Sequence, residues 1–542
     1  MLKVAVLILT SVSFLSAGIL SYEELKNRPN SLVKDYYIHR LATEGSVSND
    51  ELKNLRKDVY RDKGKLKTVL DKRVGQKPVY DPCKGVYAGN ILDANLTCKL
   101  KRMTPNFISL LSEDTKSKLI DELAEFLDEV NLLKGMSKAN PAEYFADTNN
   151  IKNFFNYYKS LNDTKKSQMF NFALSSEFAK ELGAQSYFTT FITNSVVNKN
   201  HTNLRRSLIG MNPVNTSSQG AFYLGINAVK FGSDDESVKF FKHAAENAKT
   251  KEEKDRANFW LYLVASSQDA LLKVAKSSDL NLYSLYAKEL TGNTNLNVVI
   301  PTPSKESVLG YDPNDPFSWV ELKERVKNTA VENLGELARK FETKSTLGEY
   351  IYIQNIIDNY SDNFYPMPFI EIIGSKERSR QALIFAIARQ ESRFIQSAVS
   401  ISYALGMMQF MPFVANDWAS RRDFGNFDQD DMFKPEVSYK MANIHLDWLE
   451  DTLWNPVFIA YAYNGGIGFT KKLITRGDLF NPGKYEPFLS MELVDYAESR
   501  EYAKRVLANY IVYSQVLDKN ANVSIIELVN NLLEPAKTDK YR

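Results

Sequence analysis

The sequence has few residues able to hold a metal. Its 542 residues include two cysteines and four histidines. His39, His201, His243 and His445 are scattered, and with Cys83 and Cys98 they form no metal-ligand cluster. There is no glycine-rich phosphate loop ending in Lys and no dinucleotide fingerprint, which speaks against nucleotide chemistry. Neither sign of charge prevails. Lys plus Arg number 68 against 66 for Asp plus Glu, which excludes an electrostatically dominated nucleic-acid binder. A neutral balance leaves open a sugar polymer, which is held by hydrogen bonds and aromatic faces, and 29 Tyr and 31 Phe are available for such faces.

A run long enough to span a bilayer is also missing at the N-terminus. Residues 1–18 read as an export signal: Lys3 gives a positive start, Val4 to Leu9 an apolar core, and Ser16-Ala17-Gly18 the small residues of a cleavage site. The stretch is too short for a membrane span; the competing readings are an uncleaved anchor or a buried N-terminal helix. No Cys follows it, so lipid attachment there is excluded. The expected mature protein is exported, with no stable membrane anchor. In such a compartment Cys83 and Cys98 can close a short loop as a disulfide, contributing on the order of 3 kcal/mol in the chain-entropy picture. The alternative is two free thiols.

What is present is mostly helical pattern, and the length allows several domains. From about 22 to 290, helix follows helix with short breaks. Phe222 to Phe231 is periodic and ends at Gly232, a C′ glycine. Ser233-Asp234-Asp235-Glu236 reads as a capping box opening a helix with Val238, Phe241, Ala245 and Ala248 on one side. The next helix starts near Glu252. Paired helices of this size, without a strict repeat, suggest a solenoid. Asn297 to Pro316 holds four prolines and Gly310 and reads as an extended connector. A second helical block follows with Trp319, Leu322, Val326, Leu334 and Leu337, up to the break at Tyr365-Pro366-Met367-Pro368.

The chemistry is concentrated after that break. In Ala-Ile-Ala-Arg-Gln-Glu-Ser-Arg-Phe, Glu391 follows the apolar run Ala382 to Ala388. Ile384, Ile387, Ala388 and Glu391 lie on one helical face, which places an acid on the apolar side of a helix near its end. Burial of that kind raises a carboxyl pKa, and a protonated acid near neutral pH is what breaking a glycosidic bond requires. The competing reading is a Glu that turns out to solvent.

Three further blocks follow in order: Ser397 to Pro412 (Ser-Ala-Val-Ser-Ile-Ser-Tyr-Ala-Leu-Gly-Met-Met-Gln-Phe-Met-Pro), Ala462-Tyr463-Asn464-Gly465-Gly466-Ile467-Gly468, and Glu498-Ser499-Arg500-Glu501-Tyr502. The ordered set resembles the soluble lytic murein transglycosylases, lysozyme-like enzymes that cut the glycan of bacterial peptidoglycan. Met407 stands where that family usually has Leu, Tyr403 where Gly is common, and Ile395-Gln396 where Asn-Pro is frequent. Gly465 and Ile467 replace a frequent Ala and Pro.

The resemblance implies a mainly α fold. Residues 19–299 would form a helical superhelix, 300–365 a helical linker domain, and 366–542 a lysozyme-like catalytic domain. It implies periplasmic cleavage of the β-1,4 bond between N-acetylmuramic acid and N-acetylglucosamine, with a 1,6-anhydro product and no cofactor. Glu391 would be the catalytic acid. Ser400, Gln409, Met411, Tyr463, Asn464, Glu498 and Tyr502 would line or support the glycan site, while Met407 and Met408 would be core. Glu498 could instead pair with Arg500 or Arg505 on a helix face. Peptidoglycan glycan strands are the expected partner, with other cell-wall enzymes as further candidates. Two rivals stand beside this reading. A goose-type hydrolase would need a second acid from the group Asp417, Asp423, Asp428 and Asp430, and a scaffold would bind peptidoglycan without cutting it.

Overall fold

The computed structural model is helical throughout. It describes residues 18–533 except 79, 294, 305 and 376, and among them extended pairing is confined to isolated bridges such as Val299 with Phe364. Residues 1–17 of the segment read as an export signal, and 534–542 at the C-terminal end, lie outside the described residues. Among the described residues no helix is long and apolar enough to cross a membrane.

The chain divides into two compact units. One comprises residues up to 78, 297–453 and 512–521, the other 79–296, 454–511 and 522 onward. In the second unit, helices stack in chain order. Ser218–Lys230 packs on Asp234–Glu246, that on Lys251–Ala265, then Gln268–Ala275 and Leu282–Leu290. Each helix meets chiefly its chain neighbours, which is the solenoid principle. Gly232 ends the first of these helices at φ 73°, as its position in the sequence suggests. Ser233 is the next N-cap, but its side chain makes no capping hydrogen bond. The capping box forms one helix later, where Thr250 Oγ1 accepts from Glu253 N and the Glu253 carboxylate accepts from Thr250 N. The buried stripe of Asp234–Glu246 is Ser237, Phe240, Phe241, Ala244 and Ala245, so Val238 sits at its edge. Cys83 and Cys98 form a disulfide with a Cα–Cα distance of 5.4 Å, joining a turn to the helix Leu96–Arg102.

The first unit holds two cores. Helices Pro316–Lys327, Val331–Phe341 and Leu347–Ile357 enclose Leu322, Val326, Leu334, Leu337, Ala338, Phe341 and Ile353. The second core surrounds the helix Arg378–Glu391, in which every residue from Gln381 to Ala388 is buried. The sequence suggested one apolar face, whereas this helix is covered on all sides, as expected of a run without a polar face. The helix Leu32–Glu44 belongs to the same unit. Its Tyr37 ring stacks on Phe317 at 5.7 Å.

Candidate active site

Glu391 is the last residue of the buried helix and is itself half-buried. A carboxylate so placed rides on a rigid element. The chain leaves the helix through Arg393 and Phe394, both at positive φ (54° and 67°). Two consecutive non-glycine residues in this region are costly, and the surroundings enforce the turn. Phe394 is 3% exposed and packs on Phe385 at 6.2 Å. Helix Leu347–Ile357 comes so close that a Cβ on Gly348 would lie 2.7 Å from the Phe394 carbonyl oxygen. Ser392 then ties the helix end to the next block, donating from Oγ to the Met407 carbonyl at 2.8 Å. Sequence reasoning saw Ser392 only as part of the Glu-Ser pair, and this fastening role was not assigned.

The segment from Ala398 to Met411 folds as a tight double loop. Leu405 and Phe410 exchange backbone hydrogen bonds of 2.9 and 3.1 Å, and Gly406 N donates to Ala398 O at 3.0 Å. Gly406 has φ 78°, and an added Cβ would stand 2.0 Å from the Met432 carbonyl oxygen. The backbone that this glycine admits is therefore Met432's. Gln409 also has positive φ, and its Nε2 donates to the carbonyls of Ala398 (3.1 Å) and Gly406 (2.8 Å). Two carbonyl partners fix which end of the amide is nitrogen. Its donors thus hold the loop, and Oε1 is the group left to accept. Ser400 Oγ accepts from Ala404 N (2.9 Å) and Ser402 N (3.3 Å), so its own proton remains to be donated. Met407 and Met408 are core at 1% and 0% exposure, while Met411 is half-buried and precedes the helix Pro412–Arg421.

Tyr403, at the position where Gly is common, has φ 64° and is buried. The left-handed conformation costs about 1–2 kcal/mol, and burying the ring contributes on the order of 2–3 kcal/mol. The N-terminal helices supply that cover. Tyr36 and His39 lie 5.8 and 5.6 Å from its ring, and the Lys65 ammonium sits 5.1 Å over it.

The same helices engage the acids that follow the motif. Arg40, nearly fully buried, donates to both Asp428 oxygens at 3.0 and 2.7 Å and pairs with Asp430 at 3.0 Å. Tyr36 donates its hydroxyl to Asp430 at 2.5 Å. Burial pushes the Asp428 carboxyl up, but the Arg40 contacts outweigh it and hold the pKa below the ordinary value; at Asp430 burial prevails and the pKa is raised. Asp431 pairs with Lys434, and Asp417 with Arg421, each at 2.8 Å.

The remaining site residues belong to the second unit. Tyr463 and Asn464, both half-buried, lie at the end of helix Pro456–Gly465. Asn464 Nδ2 donates to Glu498 Oε1 at 3.3 Å, and Ser499 Oγ donates to Asn464 Oδ1 at 2.6 Å. The structure thus joins the Tyr-Asn block to the Glu-Ser-Arg-Glu-Tyr block. Glu498 is exposed and Tyr502 is 4% exposed. The alternative partners of Glu498 are occupied elsewhere: Arg500 donates to Val494 O at 2.6 Å, and Arg505 pairs with Glu252 at 3.0 Å.

Beneath these blocks lies a charge network that was not anticipated. Glu492, 1% exposed, accepts from Arg256 Nε (3.1 Å), from Arg256 Nη2, from Lys504 Nζ (3.0 Å) and from the Tyr283 hydroxyl. Glu501 adds a second carboxylate 3.0 Å from Lys504. The available signal was a lone acid within Phe488-Leu489-Ser490-Met491-Glu492-Leu493-Val494, since a charge amid apolar neighbours must find partners if buried.

A profile of the transglycosylase SLT domain matches residues 368–479, which contain three of the four blocks and stop short of Glu498. A putative soluble lytic murein transglycosylase of Haemophilus influenzae is 32% identical over 141 residues, 26% of this chain and 23% of that protein. The soluble lytic murein transglycosylase of Escherichia coli K12 is 27% identical over 150 residues, 27% of this chain and 23% of its own length. The chain therefore aligns with about a quarter of the length of these relatives. Among solved structures, the lytic transglycosylase Slt of Pseudomonas aeruginosa aligns over 90% of this chain and 79% of its own, at 15% identity and a TM-score of 0.46.

Proposed function

We propose that this chain, whose residues 368–479 belong to the transglycosylase SLT domain family, is an exported lytic transglycosylase that cleaves peptidoglycan glycan strands between N-acetylmuramic acid and N-acetylglucosamine. Glu391 donates its proton to the glycosidic oxygen as the bond to the muramoyl anomeric carbon breaks. The resulting carboxylate takes the proton of the muramoyl 6-hydroxyl, whose oxygen attacks the same anomeric carbon and closes a 1,6-anhydro ring. No water is consumed. The substrate's acetamido group can assist, as in glycosidases that dispense with a second carboxylate. Gln409 Oε1 accepts from an acetamido N–H, and Ser400 donates to a sugar oxygen. Met411 lines the sugar site. The family resemblance assigns glycan contacts to Tyr463 and Asn464 as well, and Glu498 and Tyr502 support their segment. The periplasm is where such a substrate is met.

One observation favours this route over hydrolysis. Three of the four acids that a water-activating mechanism would recruit are already engaged: Asp428 and Asp430 by Arg40 and Tyr36, and Asp417 by Arg421. The test is the mass of the products released from peptidoglycan. An anhydro end is one water lighter than a hydrolysed end. Dominance of ordinary reducing ends would overturn the proposal and favour a muramidase, and the absence of any product would favour a binding scaffold.

A further inference from the structure

The turn that follows Glu391 rests on the start of helix Leu347–Ile357, and an acid is buried in that start. A Cβ on Gly348 would meet Phe394 O at 2.7 Å and Arg393 O at 3.0 Å, and Gln396 donates from Nε2 to the Ser345 carbonyl. The contact is dry: Thr346, Glu349, Phe394, Ile395 and Gln396 are each at most 3% exposed. Glu349, the neighbour of Gly348, is fully buried. Its Oε1 accepts from the Tyr311 hydroxyl at 3.1 Å, and its Oε2 has no hydrogen-bond partner among the described residues. An acid in the first turn of a helix ordinarily lies at the surface and answers the helix dipole. This one is enclosed, where an apolar side chain of similar volume would cost less. No cation pairs with it among the described residues. Arg393 on the turn lies over the Tyr360 ring at 5.6 Å, and every charged residue of the adjoining helices Pro316–Lys327 and Val331–Phe341 is exposed. Of the nearby acids, Asp312 and Asp315 act on Tyr311, and Glu342 acts on Tyr350. Burial pushes the Glu349 carboxyl up to about 7, against the pull of its own backbone N–H and of the Tyr311 hydroxyl.

We propose that Glu349 is a positioning residue for the cutting acid: with its proton it seals the contact that fixes the turn after Glu391, and on losing that proton it loosens the contact and lets Glu391 shift out of place. The role rests on the function proposed above. A neutral carboxyl in this site leaves one oxygen without a partner. An ionised one adds an uncompensated charge in a dry interior, which is far more costly and is relieved only when water reaches it. Water comes to a group this deep by parting the surfaces packed around it, and the turn at residues 393–396 is packed on this helix start. A displacement of about 1 Å at a reacting group can cost on the order of 10²-fold in rate. Because Glu349 acts through Glu391, its charge state bears on kcat rather than on KM.

The test compares the full chain with Glu349→Gln and Tyr311→Phe in cleavage of soluble glycan strands across neutral pH, with a thermal melt to check that each variant folds. Glu349→Gln keeps the shape, can accept from Tyr311 and carries no charge at any pH. Wild type and variant share whatever pH dependence Glu391 itself imposes, so the ratio of variant to wild-type kcat removes it. That ratio should be close to one at about pH 6 and rise about tenfold by about pH 8, one pH unit above half-ionisation of Glu349, with KM equal in the two. Tyr311→Phe removes a hydrogen bond that favours the charged form, so its alkaline fall in kcat should move to higher pH. A merely structural role would not move that limb. Hydrogen exchange reads the turn without any substrate. The Ile395 amide donates to Ser392 O at 3.3 Å, and its protection, corrected for the intrinsic pH dependence of exchange, should fall about tenfold over the same interval in the wild type and stay level in Glu349→Gln. If Glu349→Gln does not fold, the Tyr311→Phe profile and the wild-type exchange decide the matter. A flat ratio, an unmoved Tyr311→Phe profile, or wild-type Ile395 protection independent of pH would each overturn the proposal. Cleavage with a flat ratio rejects this role alone, and pH-dependent protection without any cleavage rejects the proposed activity alone.

Discussion

Replacing Glu492 by Gln should destabilise the second unit by about 3–5 kcal/mol, the cost of breaking a buried ion pair from one side. In the wild type three cations, Arg256, Lys504 and Arg500, share two carboxylates, Glu492 and Glu501. The amide removes one negative charge and turns an NH₂ group toward cations. Glu501 then serves alone. It reaches Lys504 at 3.0 Å but Arg256 only at 3.8 Å, so Arg256 is the group left poorly compensated. Removing a charge of each sign, as in Glu492→Leu with Lys504→Met, restores the net charge that the cluster has in the wild type. It leaves the Tyr283 hydroxyl unpaired, at about 1–3 kcal/mol, and should be the more stable variant. Because the chain has two units, a single global unfolding energy is ill-defined. Hydrogen exchange of helix Ala497–Leu517 in urea reads the relevant opening directly. The pH dependence has a fixed sign. Burial pushes the Glu492 carboxyl up, but Arg256 and Lys504 together pull it below its ordinary value. Its contribution is therefore present above the unfolded carboxyl pKa, about 4.5, and is lost as pH falls through the lower folded value. Protection within about 1 kcal/mol of wild type in Glu492→Gln, or a double variant no better than the single one, would refute the reasoning.

Glu391→Gln should lower cleavage by about 10²–10⁴-fold or more with an unchanged melting temperature; activity within tenfold of wild type would place the acid elsewhere. Gly406→Ala should destabilise the first unit by about 2–5 kcal/mol, combining positive-φ strain with overpacking against Met432 O, and a melting curve unchanged within error would sink that account. Burial pushes the His445 pKa down to about 4, and its Nδ1 accepts from Trp418 Nε1 at 3.1 Å, so the folded protein keeps the ring neutral. As pH falls below about 6.5 the unfolded chain takes up a proton that the folded chain refuses, and stability should decline until about pH 4. A histidine NMR titration showing His445 protonated by pH 6 would contradict this.

Much of the candidate site was legible because it is local. Glu391 at the end of a long apolar run, the order of the four blocks, the helix end at Gly232 and the two lone cysteines are all written in short stretches of chain, where helical period and residue type suffice. The face of the Glu391 helix was read too narrowly, since periodicity cannot tell a half-buried stripe from a helix enclosed on every side. The capping role of Ser233 failed because an N-cap residue supplies only the possibility of a hydrogen bond, and local backbone geometry decides whether it forms. Tertiary structure alone decided what lies far apart in sequence. It brought Arg40 to Asp428, Arg256 and Tyr283 to Glu492, Asn464 to Glu498, and the Met432 carbonyl to Gly406. No short-range pattern encodes such meetings, because the partner of a buried charge, or the backbone that a glycine must admit, is chosen by how helices pack. That packing determined which acids of the motif region are tied up in ion pairs.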